Sequence, residues 1–187
     1  MHYGKLQRVF VEEVESELQG AVFRFSQGFE AGVNRLAWGP DGKLYVGEIG
    51  GPGDWGQPGK LWYGLERLAY NGRVTFELLA VRTRRDGLEL ELTEPLGAGV
   101  RPSAADFRVR DWSYRPTADY GGPKRDERAL PVRAVEPSAD RRRVFLALDD
   151  LAAGRVVHLE VTGPLLDARG QALWSRETWY TLNRLPR

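Results

Sequence analysis

The sequence predicts an all-β protein in two parts, and three observations carry that prediction. Turn formers are abundant, with 22 glycines and 11 prolines in 187 residues. Short apolar runs alternate with polar residues at the period of two that suits a half-buried strand. No segment longer than Ser103–Asp106 invites a helix. The rhythm of the strands changes after Asn71-Gly72, a strong turn signal, so the expected parts are residues 1–72 and 73–187.

The first part is organised around Asn34–Tyr63, NRLAWGPDGKLYVGEIGGPGDWGQPGKLWY. Leu36 and Trp38 enter a turn built on Pro40-Asp41-Gly42. Pro presets φ, Asp bonds back to the backbone and Gly accepts positive φ. Lys43–Gly47 leaves as the partner strand, and Gly59–Tyr70 supplies one or two more after a glycine-rich loop. Upstream, residues 5–14 and 21–25 form two strands around a turn at Glu15–Gly20. A hairpin followed by a third strand is the repeating unit of a β-propeller blade, and one blade cannot bury its faces alone. The segment amounts to between one and two blades, where a closed propeller needs about four to eight. Its large apolar residues, including Phe23, Phe25, Leu36, Trp38 and Trp62, therefore need partners on the second part, on a second copy or on further sequence.

In the second part, Thr75–Arg82, Gly87–Thr93, Asp106–Tyr114, Val132–Glu136, Arg143–Leu148, Arg155–Val161 and Glu177–Leu182 read as seven short strands. Leu88, Leu90 and Leu92 alternate with Glu89 and Glu91, and Val144, Leu146, Leu148 and Val157, Leu159, Val161 repeat the pattern. Asp86-Gly87 marks the first hairpin turn. Seven strands in this length predict an immunoglobulin-like β-sandwich, long enough to fold without residues 1–72. Phe107 and Val109 set one phase and Trp112 and Tyr114 the opposite one. That slip predicts either a bulge near Arg110-Asp111, which brings all four inward, or a strand whose two ends face different sheets.

Composition narrows the function. A formal net charge of +1 supplies no global field for nucleic acid or anionic membrane, and Arg141–Arg143 is a turn cluster without interleaved aromatics. The absence of cysteine excludes disulfides, thiolate metal sites, a Cys nucleophile and covalent c-type haem. No run approaches the ~18 apolar residues of a membrane-spanning helix. The opening MHYGKLQRVFVEEV lacks the pattern of a signal peptide and reads as the middle of a β domain, so the chain is expected to be a fragment.

Two loops could meet a ligand. Gly50–Gly59 is no phosphate cradle, since it has no Gly-Lys-Ser/Thr and no following helix. Asp54 is its polar group, and Trp55 can stack on a sugar or quinone or simply cover its own domain. The long connection Arg115–Leu130 offers Asp119 and Tyr120 as a contact surface or as packing on a neighbour. His158 lies mid-strand, in phase opposite to Val157, Leu159 and Val161, and reads as structural and partly solvated; His2 reads as terminal. Asp140, Asp149, Asp150 and Asp167 suggest calcium by type but lack the spacing of one binding loop, and turn chemistry accounts for Asp140 and Asp167.

The first part, through LQRVFVE, QGAVFRFSQGFEAGVNRLAWGPDGKLYVGEIGG and LWYGLERL, resembles the C-terminal end of bacterial propellers of the glucose/sorbosone dehydrogenase type. The second part resembles the sandwich that follows such propellers, through FELLAVRTRRDGLELELTEPL, DWSYRPTADYGGP, VVHLEVTGPLLDARGQALW and TWYTLNRLP. The resemblance implies a secreted or periplasmic parent protein that oxidises a sugar with pyrroloquinoline quinone and calcium and passes electrons to a cytochrome c module. It implies no catalytic residue here, because neither histidine sits in a matching motif. The chain is then a structural or interaction portion, with no cofactor of its own, whose partners are further blades, a cytochrome module, or a second copy through open strand edges. The alternative is a carbohydrate-binding or cell-surface adhesion module using exposed aromatics.

Overall fold

The computed structural model describes residues 5–50, 59–115, 117–118 and 121–187. Among them the protein is all-β, with three antiparallel sheets and a single 3₁₀ turn at Ala104–Asp106. The chain divides into two compact units: residues up to Arg8 with Arg24–Arg73, and Val9–Phe23 with Val74–Arg187. The crossing at Arg73–Val74 adjoins the Asn71-Gly72 turn, where the Asn71 carboxamide accepts the Arg73 amide at 3.0 Å. The first hairpin, β1 (Lys5–Val14) and β2 (Glu17–Gln27), is divided between the units, which a single boundary at residue 72 does not describe.

The first unit holds a three-stranded meander of β3 (Gly32–Trp38), β4 (Leu44–Ile49) and β5 (Tyr63–Leu68), in that order. The β3–β4 turn forms at Pro40-Asp41-Gly42 as its residues demand. Gly42 has φ of 70°, and the Asp41 carboxylate accepts the Lys43 amide at 3.2 Å. Directly opposed residues of an antiparallel sheet share a face. Leu36 opposite Val46, and Trp38 opposite Leu44, therefore lie on the same face as Glu66 and Leu68. On that face Val46 packs with Leu6 and Phe29 in a small core, joined by Val33, Leu44 and Leu68. The opposite face carries Tyr45, Ile49, Tyr63 and Leu65.

The second unit is a two-sheet sandwich. One sheet runs β1-β2-β13-β12-β8-β9, where β8 is Phe107–Tyr114, β9 Lys124–Ala129, β12 Arg155–Val161 and β13 Glu177–Leu182. The other runs β10-β11-β7-β6, where β6 is Leu78–Arg84, β7 Gly87–Leu92, β10 Val132–Pro137 and β11 Arg143–Leu148. The alternating leucines and valines of β7, β11 and β12 are all buried in the core between the sheets. On the outer side of the β6–β7 hairpin Glu89 and Glu91 pair with Arg84 and Arg82.

Four local expectations are corrected. The hairpin turn of β1–β2 is the pair Glu15-Ser16, both at positive φ (50° and 66°), so β2 begins several residues earlier than the Gly20 signal suggested. Gly20 lies within the strand because a Cβ there would stand 1.9 Å from the Phe10 carbonyl oxygen. Likewise the β6–β7 turn falls at Arg85-Asp86, and Gly87 is the first residue of β7, where a Cβ would meet the Leu146 carbonyl oxygen at 2.0 Å. Third, the Arg115–Leu130 connection contains β9. Its sequence KRDERA is exposed at every position, so no alternation betrays it; a charged edge strand resists pairing with other chains.

The fourth correction concerns the phase slip. β8 pairs with β12 without interruption from Phe107 opposite Val161 to Trp112 opposite Val156, so no bulge lies at Arg110-Asp111 on that side. The irregularity is in β9, between Arg128 opposite Asp111 and Arg125 opposite Ser113, where Asp126 has φ of 51°. Phe107 and Val109 point into the core, followed in phase by Asp111, while Trp112 and Tyr114 face the other way. Asp111 is fully buried and charge-paired with Arg128 (3.0 Å) and Arg155 (2.8 Å), which explains how a carboxylate can occupy a core phase. Trp112 is only 2% exposed although it lies outside the sandwich interior, roofed by the Lys124 ammonium at 3.6 Å from its ring centroid.

Val9–Phe23 of the first hairpin is a structural part of this sandwich. Residues Gly20–Phe23 of β2 pair with Thr178–Thr181 of β13, and Ala21 and Phe23 are fully buried in its core. The Tyr180 hydroxyl donates to the Glu12 carboxylate, which also accepts the Thr83 amide at 2.8 Å, and burial pushes the Tyr180 phenol far up from its ordinary range. The Gln19 carbonyl oxygen accepts the amides of Asn183 (3.0 Å) and Arg184 (2.8 Å). Residues 73–187 alone therefore lack two core side chains and β2, one of the two strands that pair with β13. Phe23→Ala is expected to destabilise the sandwich by about 3–5 kcal/mol in chemical denaturation, as for other buried aromatics; a cost under about 1 kcal/mol would place Phe23 outside the core.

Candidate functional site

Asp54, Trp55, Asp119 and Tyr120, the ligand-contacting candidates, and His2 all lie outside the described residues. What is described is the base of the Gly50–Gly59 loop. The Gly50 amide donates to the Trp62 carbonyl at 2.6 Å, and the Leu61 amide to Glu30 at 3.0 Å. Beside that base Leu61, Trp62 and Tyr63 are largely exposed.

Three of the four aspartates considered for calcium are engaged elsewhere. Asp167 accepts the amides of Arg169 (2.9 Å) and Gln171 (2.7 Å), and Asp140 accepts the Ser138 hydroxyl (2.5 Å) and the Arg142 amide (3.1 Å). Asp149 pairs with Arg133 at 2.6 Å. Among the described residues no group of three or more His, Asp or Glu is arranged to hold a metal ion, so these side chains do not fit the calcium that the resemblance implies for a parent protein. The arginine cluster is also committed to the fold: Arg141 donates to the carbonyls of Leu96, Gly97 and Val100, and Arg142 to that of Thr93.

His158 is 3% exposed, more deeply buried than its position in the sequence suggested. Its ring stacks on Trp179 at 5.1 Å and 25°, and its Nδ1 accepts the Arg110 Nε–H at 3.1 Å. That bond fixes the neutral ring with its proton on Nε2, 3.6 Å from the Glu177 carboxylate. So enclosed, the ring does not fit the pyrroloquinoline quinone that the resemblance implies for a parent protein. Burial, then the Arg110 charge, lowers the His158 pKa from its ordinary value, against the opposing pull of Glu177 and Glu160. The unfolded chain thus binds this proton more readily than the folded one. Stability supplied by the neutral ring is full above about pH 6.5, the ordinary histidine value, and is lost as pH falls from there toward the depressed folded pKa. Wild-type denaturation midpoints should decline across that window, and His158→Phe should lack this component; equal declines in both proteins would contradict the assignment.

A further surface feature of the described residues belongs to the meander. On the face bearing Leu36 and Trp38, a groove of about 430 Å³ is lined by Leu6, Arg8, Phe25, Leu36, Trp38 and Leu44. Trp38 is 75% exposed and Leu36 51%. The opposite face presents Tyr63 (78%) and Leu65 (74%) beside Ile49. Leu36, Trp38 and Trp62 thus have no covering layer among the described residues of their unit, whereas Phe23 found its partners in the sandwich.

One residue of this unit escaped the reading of the sequence. Glu48 continues the phase of Leu44 and Val46 on β4 and is only 4% exposed, so the signal was its place in the alternation. No family model, no curated protein and no solved structure matches the chain.

Proposed function

We propose that the chain is a non-catalytic interaction module, the C-terminal portion of a secreted or periplasmic quinone-dependent sugar dehydrogenase-like propeller protein. On this reading the meander is part of a blade and the sandwich is the immunoglobulin-like domain that trails it. The observation that carries the reading is the exposure of large apolar side chains on both faces of a three-stranded sheet, with Trp38, Tyr63 and Leu65 each about three-quarters exposed or more. Contiguous exposed apolar surface on a folded unit marks an interaction site, and a further β layer of a propeller is a partner of the right shape and polarity. The sequence resemblance supports the same parent. Reconstitution with pyrroloquinoline quinone and calcium should give no dye reduction with aldoses above a protein-free control, and turnover would overturn the non-catalytic assignment. Trp38→Lys and Leu65→Lys should change folding stability by less than about 0.5 kcal/mol, as exposed positions do, while abolishing self-association or binding to a propeller partner. A large loss of stability would instead make these side chains part of this unit's own core.

A second reading, a carbohydrate-binding or adhesion module, is favoured by the exposure of Trp38 (75%) and Trp62 (67%), whose ring faces could stack on sugars. Quenching of tryptophan fluorescence by oligosaccharides, lost in Trp62→Ala, distinguishes it from the first.

A further inference from the structure

Glu48 and Glu66 project from the same face of adjacent strands, since Glu48 opposes Gly64 and Glu66 opposes Val46. Each accepts one of two consecutive amides: Ala31 N–H donates to Glu48 Oε2 at 2.6 Å, and Glu30 N–H donates to Glu66 Oε1 at 2.9 Å. The two carboxyl groups are thereby held side by side, clasping the segment that leads from β2 into β3. Glu48 Oε1 is buried and receives no hydrogen bond, although the Glu66 carboxyl is its neighbour. Two ionised carboxylates have no proton to share and repel one another; one proton turns the contact into a strong hydrogen bond.

We propose that Glu48 and Glu66 hold one proton between them, and that its loss with rising pH loosens the hold of β4 and β5 on Glu30-Ala31. The charged groups around the pair support this. Glu30 adds a third negative charge from the clasped segment itself. Lys60, from the segment before β5, directs its ammonium to the Phe29 carbonyl at 2.7 Å and forms no ion pair with either glutamate. Burial first, then the neighbouring carboxylates, raises the Glu48 pKa against the lowering effect of the Ala31 amide. A raised folded pKa means that the clasp is fully stabilising below the ordinary glutamate value of about 4.3 and is lost as pH rises through the folded value. The device is thus acid-locked, the opposite polarity to His158, and it acts on the unit that carries the exposed apolar faces.

The test is a carbon-detected NMR titration of the side-chain carboxyls in the full chain, with the Glu48 signal assigned as the one absent from Glu48→Gln. In the wild-type protein Glu48 should titrate above the ordinary glutamate range. In Glu66→Gln, where a neutral amide can donate to the Glu48 carboxylate, its midpoint should fall. Amide exchange at Ala31, corrected for its intrinsic pH dependence, should report opening that grows by up to about tenfold per pH unit across the wild-type midpoint. The same site should be flat in Glu48→Gln, whose carboxamide keeps the Ala31 bond and supplies the missing donor. An ordinary wild-type midpoint, a midpoint unmoved by Glu66→Gln, or the same pH dependence of opening in wild type and Glu48→Gln would each overturn the proposal.

Discussion

The pairing of β2 with β13 is the contact on which the rest of the sandwich depends. Four residue pairs, from Thr178 opposite Phe23 to Thr181 opposite Gly20, join the two ends of the chain. They carry Ala21, Phe23 and Tyr180 into one core. A phenol as deeply placed as Tyr180 is costly unless its hydroxyl finds a partner, and here the half-buried Glu12 carboxylate accepts it while also taking up the Thr83 amide. Through Glu12 the contact spans both sheets, since Glu12 and Tyr180 lie in the six-stranded sheet and Thr83 in the four-stranded one. Local turn chemistry at Glu15-Ser16 builds the hairpin, and this polar contact holds it against both sheets.

The two units treat apolar surface differently, and that contrast supports an interaction role. In the sandwich the alternating strands find an opposing sheet, and even the outward-facing Trp112 and His158 are enclosed by aromatic and cationic neighbours. In the meander the small core of Leu6, Phe29 and Val46 leaves most of the aromatic residues outside it. A three-stranded sheet with few buried contacts draws correspondingly more of its cohesion from groups such as Glu48 and Glu66, which clasp the Glu30 and Ala31 amides.

Much of the sandwich was legible in the sequence, because Leu88-Leu90-Leu92, Val144-Leu146-Leu148 and Val157-Leu159-Val161 state their faces by period alone. The Pro40-Asp41-Gly42 turn was legible for the same kind of local reason. What escaped was non-local. β9 carries no apolar residue except Ala129, so a charged edge strand looks like a loop. The glycines at positions 20 and 87 looked like turn residues, but each serves a close approach by another strand's backbone. Asp111 occupies a core phase only because Arg128 and Arg155 arrive from other strands, and that hid the true reason for the apparent slip before Trp112. Of the candidate site, the exposed aromatics were foreseeable, whereas the burial of Glu48 follows from register with Gly64 and could only be suspected from its phase.

The central claim, that residues 9–23 are an integral part of the sandwich, is tested most directly by comparing the full chain with a piece comprising residues 73–187. This piece is expected to show no native-like cooperative melt on its own and to gain one when a peptide spanning residues 9–23 is added. A cooperative melt of the isolated piece matching the sandwich transition of the full chain, unchanged by the peptide, would contradict it.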